Sequence, residues 1–306
     1  MVYRYIFKRI LSAIPTLLGV LIFVFLLTRV IGDPVVVLLP PEASAEQILE
    51  MRATLGLDKS LLHQFWIYFR SAVTGDFGSS FWSDRPAVSV VLERFPATLQ
   101  LALASTFVAI LLGIPAGILA ALKRNTLVDV GISVGALFGL SMPNFWLGLM
   151  MILFFGVTLR WLPISGHGSF AHIIMPALTL GTSMMAILAR LMRTDLLDAL
   201  SREYITTAAA KGLSARRVVL KHALKNALIP TVTLIGLQFG ALLGGSVVTE
   251  TVFAWPGLGR LIIQAIGKRD YPVIQAGVML FAVFFIVINL VVDLTYAALD
   301  PRIKYD

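Results

Sequence analysis

The chain of 306 residues contains no cysteine. That excludes a disulfide framework, a thiolate metal site and a cysteine nucleophile. Charge is also scarce: Asp, Glu, Lys and Arg make up 14% of the residues, where an ordinary soluble domain has about a quarter. No G-x-x-x-x-G-K-[ST] stretch occurs, so the usual loop for cradling nucleotide phosphates is missing. Gly257-x-Gly259-Arg260 is no substitute, because it falls in a segment that reads as external. The histidines (His63, His167, His172, His222) show neither an HExxH pattern nor paired-ligand spacing, and no metal site is expected from them. Ser165-Gly166-His167-Gly168-Ser169 superficially suggests a serine hydrolase, but it lacks a G-x-S-x-G elbow and an acid partner. No catalytic residue and no cofactor are expected.

What the sequence has in abundance is apolar length. Hydrophobic residues make up 58% and the mean hydropathy is +0.87. They gather into runs of about twenty or more, enough to cross a hydrocarbon core of about 30 Å. Six spans are predicted, at 10–31, 98–122, 129–157, 173–193, 227–249 and 273–298. The predicted class is an all-α, polytopic membrane protein. The run 10–31 follows Arg4, Lys8 and Arg9 like a secretory signal, yet it is too long for one and no small-x-small cleavage site follows. It is expected to be a retained span. Pro15, Pro115 and Pro143 inside the runs are of a kind tolerated in membrane helices. Gly113/Gly117 and Gly240/Gly244, four apart, allow close helix approach, with a gating hinge as the alternative reading. Trp161, Trp255 and Tyr271 suit an aromatic belt.

The net charge of +8 turns attention to which side the basic residues face; no nucleic-acid partner is expected. With the N-terminus inside, fifteen of the 25 Lys and Arg fall in the cytoplasm. They include Lys123, Arg124, the basic segment 190–226, Arg302 and Lys304. The opposite side carries the long segment 32–97, where acids outnumber bases. This predicts both termini in the cytoplasm. It also divides the chain into 1–97, a span plus an extracytoplasmic segment, and 98–306, a transmembrane core. Within 32–97, Ser44 and Gln47 form a capping pattern ahead of Ile48, Met51 and Leu55. Leu61–Val73, with Phe65, Trp66 and Phe69, is a second amphipathic helix. A cap lying on the membrane face and a role in gating or receptor docking both fit.

The most informative stretch is cytoplasmic, within 194–226. Tyr204–Ala210 is Ala-rich and helix-favouring, and Gly212 stands ready to end it in the left-handed conformation. Ser214 is expected to cap a second helix, whose Val218, Leu220, Leu224 and Ala227 make an apolar stripe back to the membrane. A short helix of small residues can slot into a partner's groove. Its basic flank suits an acidic protein surface or anionic lipid head groups.

This stretch resembles the cytoplasmic coupling motif of bacterial ABC-importer permeases. The general motif is an E-A-A triplet, a Gly after three more residues, and I-x-L-P after nine. Here Thr206, Thr207 and Ala208 hold the triplet positions, Gly212 the Gly, and His222–Lys225 the final four. The missing Glu and Pro weaken a match to sugar or phosphate permeases. The version of dipeptide, oligopeptide, nickel and glutathione permeases is similar to Tyr204–Leu213 and His222–Pro230. Other pieces of the same resemblance run along the chain: Gly32-Asp33-Pro34, Leu55–Asp58, Gly75–Gly78, Trp161-Leu162-Pro163, Thr249–Arg260, Arg269-Asp270-Tyr271-Pro272, Asn289–Asp293 and Asp300-Pro301-Arg302.

The resemblance implies a type I importer permease fold with six transmembrane helices, in the first permease of a pair. It implies a location in the bacterial inner membrane and as partners a similar second permease, two ATPase subunits, an extracytoplasmic substrate-binding protein, membrane lipid and a peptide cargo. It assigns ATPase coupling to Tyr204, Thr207, Ala208, Ala210, Lys211, Gly212, Leu213, Arg216 and Arg217. Glu250, Phe253 and Trp255 become candidates for an outer gate or for cargo contact, since an acid at a span end is costly and often functional. Asp293, four residues after Asn289, reads as a structural partner. A secondary transporter or channel is the reading from another class, and mid-span charge relays or inverted repeats would favour it.

Overall fold

The computed structural model describes the backbone of residues 2–299 and the side chains of 11–30 and 32–292. Arg4, Lys8, Arg9 and Asp293 as side chains, and Asp300-Pro301-Arg302 and Lys304 altogether, lie outside the described residues. In chain order the helices are α1 Val2–Ile31, α2 Val35–Leu38, α3 Ala45–Thr54, α4 Leu61–Thr74, α5 Ala87–Leu122, α6 Leu127–Ser141, α7 Asn144–Met151, α8 Phe170–Leu200, α9 Glu203–Ala210, α10 Ala215–Arg217, α11 Leu224–Val252, α12 Leu258–Gly267 and α13 Tyr271–Leu299. Two π-helical turns, Ile152–Thr158 and Val218–Ala223, extend α7 and precede α11. Among the described residues there is no strand, only an isolated bridge between Ser79 and Pro86.

Five helical stretches are long and apolar enough to cross a membrane: Leu11–Val30, Ala87–Leu122, Phe170–Leu200, Ala215–Val252 and Tyr271–Val292. The sixth apolar run differs from expectation. Instead of one helix over 129–157 it forms two arms, Leu127–Ser141 and Asn144–Thr158, bent by 106°. Pro143 is the cause. A proline pushes the residue before it out of the helical region, and Met142 is extended, with ψ 125°. Pro15, Pro176 and Pro230, by contrast, stay inside their helices.

The chain divides into two compact units, one of residues 2–98 together with Pro256–Leu290, the other Leu99–Trp255 with residues 291–299. The first unit packs Leu21, Val24 and Phe25 of α1 with Tyr68, Val91, Leu258 and Ile274. Phe25 meets Phe65 edge-on at 5.3 Å, and Phe95 stacks on Phe284 at 3.6 Å. Its smaller helices are well terminated. Ser44 and Gln47 complete the capping box of α3, and Ser60 accepts from His63 N at the start of α4. Gly75 ends α4 in the left-handed region at φ 72°.

The second unit is built on backbone-to-backbone approach. A Cβ on Gly113 would come within 2.7 Å of Met185 O, and one on Gly117 within 2.5 Å of Ala189 O, both on α8. Gly181 of α8 presses equally close to Ser105 O of α5. The expected close approach at Gly113 and Gly117 is therefore present, whereas among the described residues nothing lies within 4 Å of a Cβ placed on Gly244. Of the three residues expected in an aromatic belt, Trp161 is 70% exposed, whereas Trp255 and Tyr271 are buried in the packing of their own units.

Candidate functional site

The segment expected to be cytoplasmic is assembled from the end of α8 onward. Helix α8 does not stop at Arg193 but continues through Leu200, where Arg202 and Asp198 pair at 2.8 Å. Helix α9 then runs over Glu203–Ala210 and ends as anticipated: Gly212 has φ +77°, and its N–H donates to Ala209 O. Ile205 and Ala208 turn inward and pack with Met192, Leu196, Ala121 and Ala223. Tyr204, Thr207, Ala210, Lys211, Arg216 and Arg217 are exposed, and Leu213 is half-buried. The helix is thus seated by two apolar residues and presents the rest outward. Asn226 Nδ2 donates to Tyr204 OH at 3.0 Å and to His222 O, fastening the start of α9 to the root of α11.

Two expectations about the second helix need correction. Ser214 occupies the N-cap position, but its side chain makes no capping hydrogen bond; its carbonyl accepts from Arg217 N and Val218 N instead. The apolar stripe also departs from the α-helical repeat. Val218–Ala223 is a π turn, in which bonds span five residues rather than four. The wider turn carries Ala223 inward with Val218 and Ala227, while Leu220 points out.

At the other candidate, Glu250, Phe253 and Trp255 are all buried. Ser246 Oγ donates to Glu250 Oε1 at 3.2 Å, and Trp255 N donates to Glu250 O at 2.8 Å. Gly166 N donates to Phe253 O at 3.0 Å, and His167 meets the Trp255 ring edge-on at 4.6 Å. The absence of a Cβ on Gly148 of α7 admits the Phe253 ring, whose Cε2 would sit 3.2 Å from one. The 249–255 stretch is therefore packed against the 165–168 loop, with all three side chains buried.

Sequence reasoning missed two arrangements. Asp129, buried at the start of α6, is gripped by Arg193 of α8 through Nε to Oδ1 at 2.6 Å and Nη2 to Oδ2 at 2.8 Å. An acid heading an apolar run was the available signal. In the first unit, two of the short motifs bind each other, and one of them also holds Ser80 and Phe81, just beyond a third. Arg269 lies against Gly32, Arg269 Nη1 donates to Asp33 O at 2.9 Å, and the Tyr271 hydroxyl donates to Gly32 O. Asp270, buried, accepts from Ser80 Oγ at 2.6 Å and Phe81 N at 3.2 Å. Gly32-Asp33-Pro34, the 75–81 turn and Arg269–Pro272 thus form one clamp.

Residues 113–305 match the family described as "binding-protein-dependent transport system inner membrane component", and residues 2–102 match its N-terminal counterpart. The chain belongs to this family. Relatives of this permease include the glutathione transport system permease protein GsiC of Escherichia coli (strain K12) and of Shigella dysenteriae serotype 1 (strain Sd197). Each is 50% identical over 303 residues, covering 99% of both chains. Among solved structures, the permease is similar to inward-facing conformations of the MetNI methionine ABC transporter, with a TM-score of 0.57 at 23% identity over 69% of this chain and 96% of that one. An amino acid ABC transporter with histidines gives 0.53 at 14% identity, over 70% and 94%. Those likenesses concern the fold. The permease is thus the multi-pass inner-membrane subunit of an ATP-driven importer, and a subunit of this kind works with ATPase, binding-protein and second-permease components. The secondary transporter or channel reading is set aside.

Proposed function

We propose that this permease imports peptide-like cargo, glutathione foremost, by alternating access powered by two ATPase subunits that dock on α9 and the Gly212 turn. The observation that carries the coupling role is the outward set of Tyr204, Thr207, Ala210, Lys211, Arg216 and Arg217 on a short helix seated by Ile205 and Ala208. Small and basic residues around a positive-φ turn offer a surface that fits a groove with acidic rims. Leu213 and Ala208 support that surface from beneath. The glutathione reading rests on the name of relatives that match end to end at 50% identity.

Both termini lie in the cytoplasm, with the bent pair α6–α7 serving as one broken span and so giving six crossings. The basic residues of 190–226 and the acid-rich 32–97 segment support this orientation. Glu250, Phe253 and Trp255 close the outer end of the path, and their burial belongs to the closed state. The chain itself hydrolyses no ATP. The decisive experiment reconstitutes the permease with its partner permease, ATPases and binding protein in liposomes and measures ATP-dependent uptake of labelled glutathione against dipeptides. Uptake of glutathione, abolished when the ATPases are omitted, is the expected result. Dipeptide uptake without glutathione uptake overturns the cargo. ATP turnover by the permease alone overturns the division of labour.

A further inference from the structure

Where α1 leaves its apolar run and α13 begins, the first unit forms an open-sided cavity of about 290 Å³. Arg29, Gln64, Tyr68, Ser71, Tyr271 and Gln275 are among the residues that line it. Two of these side chains carry a buried donor with no hydrogen-bond partner: Arg29 at Nε and Tyr68 at its hydroxyl. Arg29 donates from Nη2 to Gln64 Oε1, and its guanidinium lies over the rings of Phe25 at 4.8 Å and Tyr271 at 5.9 Å. Asp33 and Asp270, next in sequence to the lining residues Pro34 and Tyr271, are engaged elsewhere. Asp33 takes Arg52 and Val35 N, and Asp270 takes Ser80 and Phe81 N. Tyr68 is 4% exposed, and burial pushes its phenol well above the ordinary value. The hydroxyl therefore keeps its proton and remains a donor.

An unpaired guanidinium N–H beside an unpaired phenol is costly to bury, and the deficit is entirely one of acceptors. An oxyanion supplies what both lack, and arginine is suited to phosphate and carboxylate oxygens. The position decides which oxyanion. Spans Leu11–Val30 and Tyr271–Val292 end and begin at this cavity, so it lies at the depth of lipid head groups. Beside it, α4 exposes Leu62, Trp66 and Ile67, and Ile67 itself lines the cavity. That apolar face gives an acyl chain a path out of the head-group site. We infer that this cavity binds the phosphate of a phospholipid head group, with Arg29 and Tyr68 as its donors.

The test uses the assembled transporter in nanodiscs of phosphatidylglycerol and phosphatidylcholine, with phospholipid retained after detergent extraction counted by native mass spectrometry. The wild type is expected to hold phospholipid through extraction. Arg29→Gln should cut retention at least tenfold, since a charge-assisted bond is lost, and Tyr68→Phe several-fold while keeping the ring's packing. Should Arg29→Gln fail to assemble, Tyr68→Phe decides alone. A parallel arm titrates inorganic phosphate into the delipidated complex and follows its melting temperature. Stabilisation by inorganic phosphate with no retained lipid overturns the lipid source. Equal retention in wild type and Tyr68→Phe overturns the site, as does a complex that holds neither lipid nor phosphate because a partner's carboxylate already fills it.

Discussion

The clamp of the first unit and the α9 turn of the second handle polar groups in opposite ways. In the clamp, Asp33 and Asp270 are each satisfied by at least two donors, several of them backbone groups or serines from distant parts of the chain. At the α9 turn, Lys211, Arg216 and Arg217 stand in solvent, and the helix is tied down by Ile205, Ala208 and the Asn226–Tyr204 hydrogen bond. A region that closes its own hydrogen bonds holds shape without help. One that leaves them open is stable enough to present a surface and incomplete enough to need a partner. Damage to the first should therefore register as lost fold, and damage to the second as lost assembly with the fold intact.

The sharpest break of that contrast is Asp270→Ala. It strands Ser80 Oγ and Phe81 N and should cost about 3 kcal/mol, read as a lower melting temperature and reduced membrane abundance. Gly212→Asp should lower both far less, by only the strain of its positive φ, and yet lose at least tenfold in ATPase co-purification and uptake, because the added charge would face the proposed ATPase groove. If it also lowers the melting temperature as far as Asp270→Ala does, the contrast between the regions is wrong. Gly212→Ala is milder. Space around the new Cβ is free, so only the positive φ is strained, at about 1 kcal/mol, and ATPase retention should fall about fivefold. Smallest of all is charge reversal at Arg216 and Arg217, since exposed pairs contribute little; a twofold to fivefold loss of retention, erased at high salt, is expected. A topology label sharpens the orientation: Ser214 should react only from the cytoplasm and Asp58 only from outside.

Much of this was legible because it is local. The apolar runs mark the spans, Ser44 and Gln47 mark a capping box, and Gly212 after an Ala-rich helix marks a left-handed stop. The break at Pro143 was not, because proline sits inside helices elsewhere in the same chain and only packing separates the two outcomes. Nor was the π turn at Val218–Ala223, since apolar residues fit either repeat until neighbours choose. The clamp joins Ser80 to Asp270 across 190 positions, and a contact that distant leaves no periodic trace. Short motifs visible one by one give no hint that they hold one another.

The bend between α6 and α7 has a consequence for how the protein enters its membrane. At about 1.5 Å per residue, each of the two arms reaches only about 22 Å, short of the roughly 30 Å of hydrocarbon. Neither arm can settle in lipid as an independent span, and the exposed backbone at Met142 and Pro143 needs cover from protein. That cover comes from later parts of the chain: Gly139 packs on Thr182 and Ala186, and Gly148 on Val252 and Phe253. During synthesis this stretch has to wait for segments not yet made, and its biogenesis is tied to theirs.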